Sequence, residues 1–244
     1  MEAIKTTDLR KEYKDVVAVD NLNLSVEEGE LYALLGVNGS GKTTTVRMLC
    51  TLTRPTSGDA SICGHSVLHD AAAVRAVVDV SMQETAVARK LTVEENIEFY
   101  ARLSGQTAAE IAASKQYVYD AFGLGEVAHR RAAKLSGGWQ RKLSIALALV
   151  SHPRVLLLDE PTLGLDVLAR RELWQAIHAL KGKMTIVLTT HYMEEAEALA
   201  DRIGVLRSGR LLFVGTPQQM YDATGMHNVE DAFVALVTGG EIHA

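Results

Sequence analysis

Gly36-Val37-Asn38-Gly39-Ser40-Gly41-Lys42-Thr43 is the stretch that decides the fold. It follows a compact apolar run, Leu31 to Leu35, and leads into helical patterning from about Gly41 to Leu52. A strand that passes through such a turn into a helix is the setting in which G-x-x-x-x-G-K-[ST] cradles phosphates. Gly36, Gly39 and Gly41 allow backbone amides to face the phosphates with no Cβ in the way. The helix start adds unpaired N–H groups and a positive dipole end. The expected nucleotide contacts are Gly36, Asn38, Gly39, Ser40, Gly41, Lys42, Thr43 and Thr44. Lys42 reaches the β- and γ-phosphates, and Thr43 coordinates Mg²⁺. A glycine-rich turn with a solvated lysine is the plain alternative, and the correct flanks on both sides weigh against it. The motif alone does not separate a GTPase, kinase, helicase or transporter ATPase.

Such a site needs an acid for the metal and a group to position water. Val155-Leu156-Leu157-Leu158 shows no polar alternation, as expected of a parallel strand covered on both faces. Asp159-Glu160-Pro161 follows it. The strand delivers Asp159 to the phosphate side of the sheet, where it holds Mg²⁺. Glu160 orients or deprotonates the attacking water, and Pro161 stops the strand. His191 ends another strand after Thr189-Thr190 and is placed to sense the γ-phosphate, although a lone histidine is more often structural.

Strands alternate with helices along most of the chain, which implies a mostly parallel sheet with helices on both faces. The fold class is therefore α/β, a P-loop NTPase core with an N-terminal antiparallel β subdomain and an inserted helical subdomain. The first 35 residues read as strands, with Leu22, Leu24 and Val26 alternating before a turn at Glu28-Gly29-Glu30. From Thr92 to His129 the chain is helical in pattern, and Thr92/Glu95 and Thr107/Glu110 fit capping boxes. Further helices are expected over 137–150, 167–180 and 192–200, and a strand over 185–189. Ile203–Leu206 and Leu211–Val214 form a strand pair around Ser208-Gly209. Thr216-Pro217 starts a helix, and 228–236 reads as a short helix. One domain is expected, with 1–83 and 135–220 as the nucleotide-binding core, 84–134 as the helical insertion and 221–244 as a short helical tail. That tail leaves little room for a separate regulatory domain.

The 244 residues, 48% of them hydrophobic, suffice for a large core. The net charge of −5 gives no broad nucleic-acid surface, so no nucleic-acid partner is expected. Cys50 and Cys63 match no metal spacing and are expected reduced, in cytosol. The first residues lack a signal-peptide core, and no apolar run approaches the roughly 20 residues of a spanning helix. The chain is expected to be soluble, with any membrane part supplied by another protein.

Leu135-Ser136-Gly137-Gly138, upstream of the Asp-Glu pair, resembles the signature motif of ABC ATPases. Ser136 and the amides of Gly137 and Gly138 open a helix and can bind an anion. The resemblance covers essentially the whole chain and implies roles for other positions. Tyr13 sits where the family stacks adenine. Gln83 looks like the Q-loop glutamine, which links Mg²⁺ and the attacking water to the helical subdomain. Leu163-Gly164-Leu165-Asp166 matches the D-loop, with Asp166 in communication across a dimer, and His191 matches the switch histidine. In that family two domains pair head to tail, and Ser136, Gly137 and Gly138 of one copy cap the ATP of the other. The resemblance thus implies ATP and Mg²⁺ as cofactors. It also implies a homodimer or a heterodimer with a second ABC ATPase. A separate multi-span permease is expected to dock near 83–90 and the helix after Thr92, with the chain peripheral on the cytoplasmic face of the membrane.

The segments Pro161-Thr162-Leu163-Gly164-Leu165-Asp166, Ala169-Arg170-Arg171-Glu172-Leu173-Trp174 and Thr190-His191-Tyr192-Met193-Glu194-Glu195-Ala196 look like the daunorubicin-resistance class of exporter ATPases. That likeness implies export of a drug, antibiotic, lipid-linked or peptide cargo. A non-transport ABC ATPase acting on DNA or ribosomes is the alternative, but the long coiled coils or doubled units usual there are lacking. One position departs from the family: Trp139 stands where Gln, Met or Glu is usual. It is expected either to report ATP-driven closure or to pack only within its own lobe.

Overall fold

The computed structural model describes residues 1–239, so positions 240–244 of the expected tail lie outside the described residues. The chain opens with β1 (Glu2–Tyr13), β2 (Val16–Leu22), β3 (Ser25–Glu27), β4 (Leu31–Leu35) and α1 (Lys42–Leu49). Next come β5 (Ser57–Ile62), β6 (His65–Ser66), α2 (Ala71–Val77) and β7 (Val78–Ser81). A helical block follows, with α3 (Val93–Leu103), α4 (Ala108–Phe122) and α5 (Gly137–Leu149). The rest alternates: β8 (Val155–Asp159), α6 (Val167–His178), β9 (Thr185–Thr190), α7 (Met193–Leu199), β10 (Arg202–Arg207) and β11 (Arg210–Gly215), then α8 (Pro217–Thr224) and α9 (Val229–Thr238). Helix α8 runs unbroken across position 221, where the tail was expected to begin.

The central sheet has the order β11-β10-β4-β9-β8-β7. Its pairs are parallel except β10 with β11, which is an antiparallel hairpin. Every residue of β4, β8 and β9 is buried. Side chains alternate between two cores because successive residues of a strand point to opposite faces. Leu31, Ala33, Leu35, Leu156 and Leu158 join the core under α5, whereas Tyr32, Leu34, Val155 and Leu157 join the core containing Val46, Met48 and Leu49 of α1. Burial on both faces is the physical reason these strands read as unbroken apolar runs.

The N-terminal antiparallel sheet corrects one expectation. The run from Leu22 to Val26 is two strands, because β1 is long enough to pair with β3 near its start and β2 near its end. At the crossover the buried Thr6 hydroxyl donates to the Leu22 carbonyl at 2.7 Å and accepts from the Leu24 N–H at 2.8 Å. It satisfies backbone groups that the broken ladder would leave unpaired. Helix α2 was not foreseen. Its signal was Asp70 before Ala71-Ala72-Ala73, strong helix formers behind a favourable cap residue.

Both expected capping boxes form. Thr92 accepts from the Glu95 N–H while the Glu95 carboxylate accepts from the Thr92 N–H, and Thr107 pairs likewise with Glu110. The first box sets the start of α3, whose buried Asn96 clamps the preceding loop through both the N–H and the carbonyl of Ala88. Thr92→Ala is expected to lower the unfolding free energy by about 1 kcal/mol. Denaturant titration checks this, and an unchanged midpoint would show that the cap contributes nothing.

Candidate active site

The strands β4, β9, β8 and β7 are neighbours in that order, and their carboxyl ends lead into Gly36, His191, Glu160 and Gln83. Ligands of open α/β sheets bind at such ends. A cavity of about 430 Å³ opens there. It is lined by Tyr13, Asn38, Gly39, Gly41, Lys42, Thr43, Thr44, Gln83, Glu160 and His191, which brings together ten of the expected residues. Leu163, expected as part of the D-loop, and Val16-Val17-Ala18 complete the wall, and none of them was expected in the cavity. They belong to a turn and a strand edge with no polar signature.

Two glycines are required for different reasons. Gly41 has φ 108°, and a Cβ on it would lie 2.4 Å from the Ala18 carbonyl oxygen. Gly36 is required by packing: a Cβ there would lie 2.4 Å from the Leu206 carbonyl oxygen, where β10 passes close by. This packing requirement at Gly36 adds to the expected role of its amide.

Lys42 is buried beneath the cavity floor. Its ammonium donates to the carbonyls of Gly36 at 2.7 Å and Val37 at 3.2 Å, and pairs with Glu160 at 3.1 Å. The Glu160 carboxylate also hydrogen-bonds His191 Nδ1. The Glu160 backbone stands at φ +49°, a left-handed conformation that costs a non-glycine residue roughly 1–3 kcal/mol. Its N–H donates to both the carbonyl and the hydroxyl of Thr189, each at 3.1 Å, and these bonds hold the turn. Strain of this kind is concentrated at functional sites.

Asp159 lies behind Thr43, fully buried. Its Oδ1 accepts from the Thr189 hydroxyl at 2.6 Å and the Thr43 hydroxyl at 3.1 Å. Its Oδ2 is buried with no hydrogen-bond partner among the described residues, and so is the Ser40 hydroxyl. Orphan oxygens at the base of a phosphate loop are unusual in a folded interior. An all-oxygen set of Thr43 and Asp159 suits a hard cation such as Mg²⁺, which keeps several waters and takes substrate phosphates as its other ligands. The residues present therefore fit a metal–triphosphate.

Sequence reasoning missed Arg141. Its side chain, buried in α5, donates to the carbonyls of Met82, Gln83, Asp159 and Pro161. One guanidinium thus ties the helix that begins at Ser136 to the ends of β7 and β8. Burial lowers its pKa to about 10, opposed by the nearby Asp159, Glu195 and Glu160, so it stays charged at neutral pH. The available signal was its helical spacing from Ser144 and Ala148, which places a cation on a buried stripe.

The remaining expected residues lie elsewhere. Ser136, Gly138 and Asp166 line a separate surface depression with Trp139, Lys142, Leu168 and Glu172. Ser136 caps α5 by backbone conformation alone, with no side-chain cap bond, and Gly137 is the first helical residue. The first-turn amides of α5 therefore lack a partner from Ser136. Asp166 caps α6 by accepting from the N–H groups of Leu168 and Ala169. Val167 and Leu168 beside it are exposed hydrophobics. The Trp139 indole carries the Lys142 ammonium 4.7 Å from its ring centre.

Residues 19–163 match the family model described as ABC transporter. The chain is 42% identical to the daunorubicin/doxorubicin resistance ATP-binding protein DrrA of Streptomyces peucetius, over 91% of this chain and 68% of that one. It is 40% identical to the Nod factor export ATP-binding protein I of Cupriavidus metallidurans, over 90% and 73%. Among solved structures, it is similar to an ATP-binding cassette described as dimeric, in a post-hydrolysis state bound to ADP and Pi. The TM-score is 0.78 at 26% identity, over 87% of this chain and 98% of that one.

Arg141→Lys removes the planar fork and leaves carbonyls of the two strand ends unpaired. A loss of about 1–3 kcal/mol in unfolding free energy is expected. Equal urea midpoints for the two proteins would overturn the role given to the guanidinium.

Proposed function

This chain belongs to the ABC transporter family and is an ATP-hydrolysing subunit, and on that basis we propose that it powers export through a separate transmembrane permease. The observation that carries the reading is the split of the expected residues between two surfaces. Lys42, Glu160, His191 and Gln83 share one cavity, while Ser136, Gly138 and Asp166 share another face. In a single copy Ser136 and Gly138 line a different depression from the nucleotide cavity, so on this reading a complete site takes two copies, or this chain and a second ABC ATPase.

In the proposed mechanism, Tyr13 packs against the base and the loop 36–44 holds the triphosphate. Thr43 and Asp159 would hold Mg²⁺, with Gln83 on the same cavity wall, and the ion would supply charge neutralisation for the phosphates. Lys42 exchanges the Glu160 carboxylate for phosphate oxygens. Glu160, thus released, accepts a proton from the attacking water as its oxygen bonds the γ-phosphorus and the bond to the bridging oxygen of ADP breaks. His191 orients Glu160 through Nδ1 until the carboxylate is released, and its ring N–H then donates to the γ-phosphate. Ser136, Gly137 and Gly138 of the facing copy cap the same phosphate. Asp166 relays the state of one site to the other.

The export direction rests on relatives named for drug resistance and Nod factor export. Docking of the permease is proposed at 83–90 and α3. There the loop is tied to α3 by Asn96 and by the Tyr100 hydroxyl on the Ala86 carbonyl, and Phe99 and Leu103 are exposed. Among the described residues no helix is long and apolar enough to cross a membrane. The chain is accordingly proposed to lie on the cytoplasmic face. The helical subdomain is proposed at 84–134, inserted in a core of 1–83 and 135–220 that α8 continues past the boundary expected at 221.

Glu160→Gln is expected to bind ATP, lose at least about a hundredfold in turnover and accumulate as a dimer. Ser136→Ala should keep ATP binding to the monomer and lose dimer-dependent hydrolysis. ATPase rates and sedimentation check both, and wild-type turnover in Glu160→Gln would remove Glu160 from the chemistry. Trp139 shares the depression with Ser136, so its indole should sense closure. With Trp174→Phe, the emission of Trp139 in a Glu160→Gln background should shift on adding ATP. A constant spectrum from a protein that has dimerised would place the indole off the interface.

A further inference from the structure

Glu195 lies in the first turn of α7 and is fully buried, yet it has no place in the mechanism above. Its Oε1 accepts from the Trp174 indole N–H of α6 at 3.0 Å. Its Oε2 has no hydrogen-bond partner among the described residues, and neither does the buried hydroxyl of Thr162. The hydroxyls of Thr190 and Thr162 stand near the carboxyl and favour its charged form, but burial outweighs them and raises its pKa.

Thr162 belongs to the short segment between Glu160 and α6. Leu163 N–H donates to the Glu160 carbonyl, Leu165 N–H to the Thr162 carbonyl, and Arg141 holds the Pro161 carbonyl. This segment fixes the backbone of the strained Glu160 at one end and Asp166 at the other. Thr190 immediately precedes His191, and its carbonyl accepts from the Gly36 N–H of the phosphate loop. One carboxyl therefore sits among the segment 160–166, the end of β9, α6 and α7. Two adjoining buried groups, each lacking a partner, mark a contact that can tighten when the segment moves.

We propose that Glu195 is a positioning residue for ATP hydrolysis, acting through the Thr162 hydroxyl to set the segment that carries Glu160 and Asp166. The inference rests on the function proposed above. Glu195 and Thr162 do not line the nucleotide cavity, so their effect falls on turnover and spares ATP binding. A neutral hydrogen-bonding group at 195 suffices, because an amide keeps an acceptor for Trp174 and can donate to Thr162.

The test compares steady-state ATPase kinetics of Thr162→Val, Thr162→Ser, Glu195→Gln and Glu195→Ala with wild type. Thr162→Val is nearly isosteric and preserves the packing. Removing the hydroxyl that closes onto Glu195 when the segment tightens predicts a fall in kcat of roughly threefold to tenfold for Thr162→Val, with KM for ATP within about twofold. Thr162→Ser should restore the rate, and Glu195→Gln should retain most of it. Glu195→Ala combined with Thr162→Val should be no slower than Glu195→Ala alone, because one contact is removed by either change. Wild-type kcat in Thr162→Val, a rise in KM as large as the fall in kcat, or multiplying losses in the double variant would each overturn the proposal. Should Glu195→Ala fail to fold, the two Thr162 variants and Glu195→Gln still decide. If wild type itself hydrolyses no ATP, or Glu160→Gln turns over normally, the function proposed above fails instead.

Discussion

The ion pair of Lys42 with Glu160 is the constraint around which the site is arranged. Burying two opposite charges is unfavourable unless each also finds hydrogen bonds. The sheet supplies them. Lys42 takes the carbonyls of Gly36 and Val37, and the Glu160 carboxylate takes His191. Such compensation is available only because four parallel strands end side by side and bring their terminal residues to one place. On the proposed reading, an incoming triphosphate offers Lys42 a denser negative charge than a single carboxylate. The exchange both binds the nucleotide and frees the base, so binding and activation share one step.

The surface around Ser136 extends this logic beyond the single copy. A helix start without a side-chain cap, an N-capping aspartate and exposed Val167 and Leu168 lie together on it. Unpaired amides seek an anion, and exposed aliphatic groups seek cover. On the proposed reading, a second copy presenting its bound triphosphate would meet both demands.

Much of this was legible in the sequence because the relevant signals are local. The phosphate loop, the buried strand before Asp159 and the capping boxes at Thr92 and Thr107 each announce themselves within a few residues. What escaped depends on distance in the chain. Arg141 is recognisable only once its four carbonyl partners, drawn from β7 and β8, are in place around it. The split of residues 22–26 follows from which parts of β1 are free to pair, which no window of sequence contains. The left-handed backbone of Glu160 runs against its own sequence, since a following proline favours extended conformations. Only the Thr189 hydrogen bonds, from a neighbouring strand, make that turn tolerable.

These non-local contacts also explain how a rigid sheet can answer to a moving helix. Helix α5 starts at the face proposed to meet a second copy, and four residues after its first residue Arg141 grips the ends of β7 and β8. A shift of α5 cannot leave the carbonyls of Gln83 and Asp159 unaffected without stranding a buried guanidinium, a cost comparable to much of a domain's stability. The strand ends must therefore follow, and with them Gln83 at the loop toward the proposed permease and Glu160 over the phosphates. The sheet itself is packed on both faces and yields little. On the proposed reading, a shift of α5 would be felt first at these strand ends, the two segments that couple nucleotide to membrane partner.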